Sequence, residues 1–197
     1  KPWAQVVRDT AALRQREAEL AGPSLPRSRL FSLVEGSCPE AVMAVSRVAG
    51  SPRVAGRLAE YLNELQFVAP TLSGRDLLAM GVPDGPMVGR ILRRLREAKL
   101  DRKVSTEAQE RVETHRERLD ELVEEYLPGA KDLLGDTTRK VNWNSAAQVL
   151  QLLKDLGLDA ENTRQETLEA LQDEQPLVAA LLDHREASKK ASTYGNK

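Results

Sequence analysis

TEAQERVETHRERLDELVEEY, residues 106–126, predicts one long uninterrupted helix. Thr106 stands at its N-cap, and Gln109 three residues on completes a capping box, each side chain serving the other's backbone N–H. Val112, Leu119, Leu122, Val123 and Tyr126 recur at helical spacing and form one apolar stripe. Pro128-Gly129 ends the pattern. At 1.5 Å per residue such a helix spans roughly 30 Å, about the width of a small domain. Asp120, Glu121, Glu124 and Glu125 form a charge run on it that reads as a solvated face, not a metal site.

The sequence on either side differs in charge. Residues 1–104 hold 17 basic and 11 acidic side chains, whereas residues 105–197 hold 12 and 19. A basic half beside an acidic half points to a polyanion-facing piece joined to a piece of other origin. The plainer reading is dipolar self-complementarity. Hydrophobic residues are 41% and aromatics only 4%, so the core must be built from Leu, Val and Ala, a composition that favours helices over sheets. The single Cys38 has no partner within the chain for a disulfide and fits a reducing compartment. No apolar run approaches membrane-spanning length and no signal peptide opens the chain, so the expectation is a soluble protein of cytoplasmic type.

Before residue 106 the pattern predicts a first helix to about Ala21, with Trp3, Val6, Val7, Thr10, Leu13 and Leu20 on one face. Short helices follow at about 29–35 and 37–49, the second opened by Ser37 and Glu40 as a capping box with Pro39 in the first turn. Gly50-Ser51-Pro52 repeats the arrangement and opens a helix that turns Val54, Leu58, Tyr61, Leu62 and Leu65 inward. Ser73 caps GRDLLAM, closed by Gly81, and a helix from about Pro86 to Leu100 sets Val88, Ile91, Leu92 and Leu95 against Arg90, Arg93, Arg94, Arg96 and Lys99. After residue 129 come a short helical turn, a polar loop, and a helix over about 145–156 with Ser145 and Gln148 at capping spacing and Gly157 at its end. Thr163 and Glu166 form another capping box, and a last helix runs from about Gln175 to Thr193. No segment shows convincing strand alternation. The fold class is therefore all-α, as two helical lobes joined through one continuous helix at about 106–127: a first portion over 1–105, the shared helix, and a third portion over 128–197.

Two family resemblances follow from specific stretches. SRLFSLVEGSCPEAVMAV (28–45) and TLSGRDLLAMGVPDGPMVGRILRRLREAKLDRKVSTEAQERV (71–112) resemble the C-terminal helical body and tail of bacterial class II CCA-adding enzymes and poly(A) polymerases. The pattern Leu72, Gly74, Arg75, Asp76, Leu77, Leu78, then Gly81-Val82-Pro83 and Gly85-Pro86, carries it. In that family these helices are distal to catalysis and lie along the tRNA elbow. HRERLDELVEEYL (115–127), VNWNSAAQVLQLLKDLGL (141–158) and LVAALLDHREASKKASTYG (177–195) look like the thumb of a family A DNA polymerase. Where that family has Asn-Ser-Pro-Lys, this chain has Asn144-Ser145-Ala146-Ala147, so a cation is lost at the turn.

Both resemblances are to auxiliary helices of nucleotidyl-transferring enzymes, and neither family's catalytic domain is matched. They imply a non-enzymatic, constructed chimera acting as a structural scaffold, joined near residues 107–116, because natural domain boundaries fall in linkers and not within helices. The competing implication is a sequence-nonspecific nucleic-acid-binding module. On the tail, Gly85, Arg90, Arg93 and Arg94 would meet RNA phosphates, the backbone N–H groups after Asp84 offering an anion site. The glycine spacing there is similar to a helix-hairpin-helix clamp with two extra residues; the plainer reading is a solvated helix face. On the thumb, Asn144, Ser145, Thr163, Arg164, Arg185, Lys189, Lys190, Ser192 and Tyr194 match positions that face duplex DNA in the polymerase family, through contacts that position without reading sequence. On an acidic background such cations should bind weakly and lose affinity steeply with salt. His115 and His184 are far apart in sequence, no Cys/His cluster has metal spacing, and no glycine loop or catalytic triad order occurs, so no catalytic residue, metal or cofactor is expected. Trp3 and Trp143 are expected in the core or as helix staples, and Cys38 as a buried first-turn residue. Apolar surface left uncovered at the fragment boundaries would favour a dimer.

Overall fold

The computed structural model describes residues 2–127 and 141–194, the side chains of Pro2 and Tyr194 excepted. The predicted stop at Pro128-Gly129 and the short turn and loop over 131–140 lie outside the described residues. Eleven α-helices and one 3-10 turn, with no strand, make up the regular structure of the described residues: α1 (Pro2–Gln15), α2 (Glu17–Leu20), α3 (Arg27–Val34), α4 (Pro39–Val48), α5 (Pro52–Asn63), the 3-10 turn Leu65–Phe67, α6 (Gly74–Ala79), α7 (Pro86–Leu100), α8 (Glu107–Tyr126), α9 (Ala146–Asp155), α10 (Gln165–Leu171) and α11 (Pro176–Tyr194). The chain is all-α. None of its described helices is long and apolar enough to cross a membrane.

The chain divides into two compact units, Lys1–Pro70 with Arg93–Ser105, and Thr71–Leu92 with Thr106–Lys197. In the first, Leu13, Leu20, Leu30, Val42, Leu58 and Leu65 are among the residues that close a core from which water is excluded. Phe31 and Tyr61 meet at 5.8 Å between ring centroids, and the Arg96 guanidinium lies 5.4 Å from the Phe31 ring, a cation–π contact. The Ser28 N–H and hydroxyl both donate to the Asp101 carboxylate, at 2.9 Å each.

Three local expectations in this unit are corrected. The first helix does not run to Ala21: it breaks at Arg16, whose N–H closes back on the Leu13 carbonyl and whose guanidinium donates to the Leu33 carbonyl at 2.6 Å. Trp3 is not a core residue, being 78% exposed, with Val7 one turn on at 66%. Ser37 does not cap α4. The N-cap is Cys38, half-buried and just outside the first turn, and its N–H donates to the Asp9 carboxylate at 2.9 Å. α4 carries no side-chain cap bond; the Asp9 carboxylate instead ties the N-cap residue to α1, and that bond holds Asp9 below the usual carboxylate range. Ser51 occupies the N-cap of α5, as its spacing predicts, but without a side-chain cap bond.

In the second unit, α6 opens with the predicted Ser73 cap as a full capping box with Asp76, whose carboxylate is held low by the Ser73 hydroxyl and N–H. The long helix α8 begins with Thr106 and Gln109 capping one another, as the sequence predicts. It then runs without interruption to Tyr126. Leu119 and Val123 enter a core with Trp143, Val149, Leu153, Leu168, Leu177 and Leu181. Val112 and Leu122 are only half-buried and Tyr126 is 39% exposed, so the apolar stripe is narrower than expected. The rest of the buried face is polar: Glu110, Thr114 and Glu117. Gly157, with φ of 78°, ends α9 in the left-handed conformation that its position predicts.

Candidate nucleic-acid interface

The polar face of α8 is built around Glu110, which is fully buried. Its two carboxylate oxygens accept from the Thr71 N–H at 2.9 and 2.8 Å, and one also accepts from the Leu72 N–H at 2.9 Å. Those N–H groups stand just before α6, so the carboxylate fixes the start of α6 onto α8. Thr114 donates its hydroxyl to the Glu110 carbonyl, one turn back. Further along, Arg118 donates to the Met80 carbonyl at 3.2 Å and lies 3.7 Å from the Asp183 carboxylate. Asp120, expected to be solvated, instead accepts from the Trp143 indole N–H at 2.9 Å, which explains why Trp143 sits in the core. Glu121 pairs with Arg90, while Glu124 and Glu125 are exposed as expected.

Gly85, Arg90, Arg93 and Arg94 are exposed. Gly85 lies immediately before α7 with φ of 125°, a conformation that favours glycine. Arg90 is bonded to Glu121, so its charge is partly matched within the protein. Arg93 and Arg94 are exposed on α7.

In the second unit, Ser145 is the N-cap of α9, its hydroxyl accepting from the Gln148 N–H. The Gln148 side chain accepts from Asn142 instead of completing the box, and the Asn144 N–H donates to the Asn142 side chain at 3.1 Å. Thr163 does not cap α10. The N-cap is Arg164, and the Asn162 side chain accepts both from its N–H, at 2.8 Å, and from the Thr167 hydroxyl, at 2.9 Å. The Thr163 carbonyl accepts a hydrogen bond from Arg185, which brings these two candidates together and turns the guanidinium inward. Lys190 pairs with Glu186 at 2.6 Å on the same helix. The hydroxyls of Ser192 and Thr193 both donate to the Lys189 carbonyl, at 2.9 and 2.8 Å. The Lys189 side chain is exposed, and the Tyr194 side chain lies outside the described residues.

A groove between α10 and α11 contains Arg185 and Lys189, but Glu169, Asp183 and Glu186 line it too. Carboxylates outnumber cations there, which opposes a phosphate backbone. A second groove, of about 500 Å³, lies between α8 and α11 and is lined by Glu107, Arg111, His115, Asp183, Glu186 and Lys190. The two histidines, far apart in sequence, belong to this α8–α11 pair: His115 lines the groove and His184 is 4% exposed. Their proximity could not be read from spacing, because it depends on how α11 packs back onto α8.

Among the described residues, no three His, Cys, Asp or Glu side chains stand where they could hold a metal ion. Burial pushes the Cys38 thiol above its ordinary range, assisted by Asp9, so it stays protonated at neutral pH and is a poor nucleophile. Comparison with protein-family profiles, with curated proteins and with solved structures finds no match to the chain.

Proposed function

We propose that the chain is a non-catalytic helical scaffold, a constructed fusion of auxiliary helices in which α8 is the shared strut between a CCA-adding-enzyme-like portion over 1–105 and a polymerase-thumb-like portion over 128–197. The observation that carries this reading is the two-sided anchoring of one unbroken helix. The N-terminal half of α8 grips the backbone before α6 through Glu110, and its C-terminal half enters the thumb-like core through Leu119 and Val123. A helix anchored in both halves keeps those two contacts in fixed register.

The engagement of Arg90, Arg185 and Lys190 with protein partners supports a scaffold over a nucleic-acid-binding module. Each would have to give up a bond to meet a phosphate. Self-association belongs to the same proposal and is supported by the exposed Trp3 and Val7, one turn apart on α1.

The test is a fluorescence-anisotropy titration of the chain against labelled duplex DNA and, separately, a tRNA, at low and near-physiological salt. The scaffold reading expects no saturable binding to either at physiological salt, with any low-salt association lost as salt rises. Saturable binding at physiological salt would replace it with the binding-module reading.

A further inference from the structure

The α8–α11 pair holds two titratable groups that the scaffold reading leaves unused. The Nδ1 atoms of His115 and His184 are both buried and have no hydrogen-bond partner in the protein. Each imidazole comes from one of two facing helices, and they lie near enough for His115 to act electrostatically on His184. His184 is sealed from solvent at 4% exposure, whereas His115 lines the groove and so offers a route for protons. A neutral imidazole tolerates such a site, but an imidazolium does not, and two facing imidazolium ions would also repel.

The charged groups around the pair do not rescue the protonated form. From α8, Arg116 acts against a charge on His184, Arg111 and Arg118 act against one on His115, and Asp120 favours a charge on His184. From α11, Arg185 opposes a charge on His184, while Asp183 and Glu186 favour one on His115. We infer that the α8–α11 seam is an acid-opened latch, closed while both imidazoles are neutral and loosened when they take up protons.

The sign follows from where each state binds its proton. Desolvation by burial, then His115, Arg116 and Arg185, bring His184 down to about 4, and burial also lowers His115. An opened seam takes its proton near the ordinary histidine value of about 6.5. The closed seam is therefore at full strength above about 6.5 and weakens as pH falls from there towards about 4. For His184 alone, lowering pH from 7 to 5 shifts the seam towards the open state by about 20-fold.

The experiment uses the full chain. Imidazole titration by nitrogen-15 NMR between pH 4 and 7 reads the protonation of His184. Hydrogen exchange at pH 7 and 5, corrected for intrinsic rates, reads protection in α8 and α11 against that in α5. The expected result is a His184 that stays neutral to below pH 5, with protection in α8 and α11 falling about 20-fold at pH 5 relative to α5. In His184→Leu, which leaves every carboxylate and His115 in place, the share of about 20-fold that His184 contributes should be lost. A His184 that titrates near 6.5 or above in the folded chain, or a fall as large in His184→Leu as in the wild type, overturns the inference. Should His184→Leu not fold, the wild-type imidazole titration decides alone.

Discussion

Replacing Glu110 with alanine should destabilise the second unit far more than replacing an exposed carboxylate of α8 such as Glu107. The carboxylate is fully buried and accepts from two backbone N–H groups, those of Thr71 and Leu72. Truncation leaves both donors without that acceptor, at about 1–3 kcal/mol each when water cannot replace it. Leu72 is buried and should show the full cost, while Thr71 is exposed enough for water to recover part of it. The sum is about 3–4 kcal/mol. Glu110→Gln keeps one acceptor oxygen but sets an amide N–H against a backbone N–H, and about 2 kcal/mol is expected. Urea unfolding followed by Trp143 fluorescence is the assay, since Trp143 is buried in the same unit and the exposed Trp3 contributes a nearly constant background. With a slope of about 1.5 kcal/mol per molar, the alanine variant should unfold at about 2 M lower urea. Glu107→Ala, which removes only an exposed pair with Arg111, should cost about 0.5 kcal/mol or less. A Glu110→Ala effect no larger than that of Glu107→Ala would refute the anchoring role of Glu110.

Other outcomes follow from the same contacts. Gly81→Ala should cost about 1–3 kcal/mol by thermal melting, because φ is 78° there and a Cβ would stand 3.0 Å from the Arg118 guanidinium. Gly85→Ala, with open space around its Cβ position, should be destabilising through backbone strain alone at φ of 125°. Leu153→Ala, at a fully buried position in the second core, should cost about 2–5 kcal/mol in the same urea assay. Sedimentation-velocity runs over a range of concentrations should show self-association that Trp3→Lys with Val7→Lys abolishes; a wild-type chain that stays monomeric throughout would remove α1 as the contact.

What the sequence made legible was what neighbours along the chain decide. The Thr106–Gln109 capping box and the Ser73 cap follow from partners that lie within one turn, the Ser73 cap gaining a reciprocal bond to Asp76 that the sequence reading does not include. At Ser37 and Thr163 the helix begins one residue later, with Cys38 and Arg164 at the N-cap, so the capping spacing from Ser37 and Thr163 is out of register. Spacing alone does not fix the residue at which a helix starts. The bond of Asp120 to the Trp143 indole is likewise invisible to local spacing, because the two lie 23 positions apart. Glu110 and Thr114 break the apolar stripe of α8, and their burial becomes intelligible only once Glu110 is seen to accept from the Thr71 and Leu72 N–H groups and Thr114 to donate to the Glu110 carbonyl. Of the candidate binding residues, type and exposure were readable, but not the internal partners of Arg90, Arg185 and Lys190.

The most direct test of α8 as a single strut is native-state hydrogen exchange along it. Amides beside Thr114 and amides beside Val123 should open together, with free energies agreeing to about 0.5 kcal/mol and falling in parallel with denaturant. Opening free energies that differ by about 2 kcal/mol or more between the two halves would mean that α8 is two separately held segments, and would contradict the account.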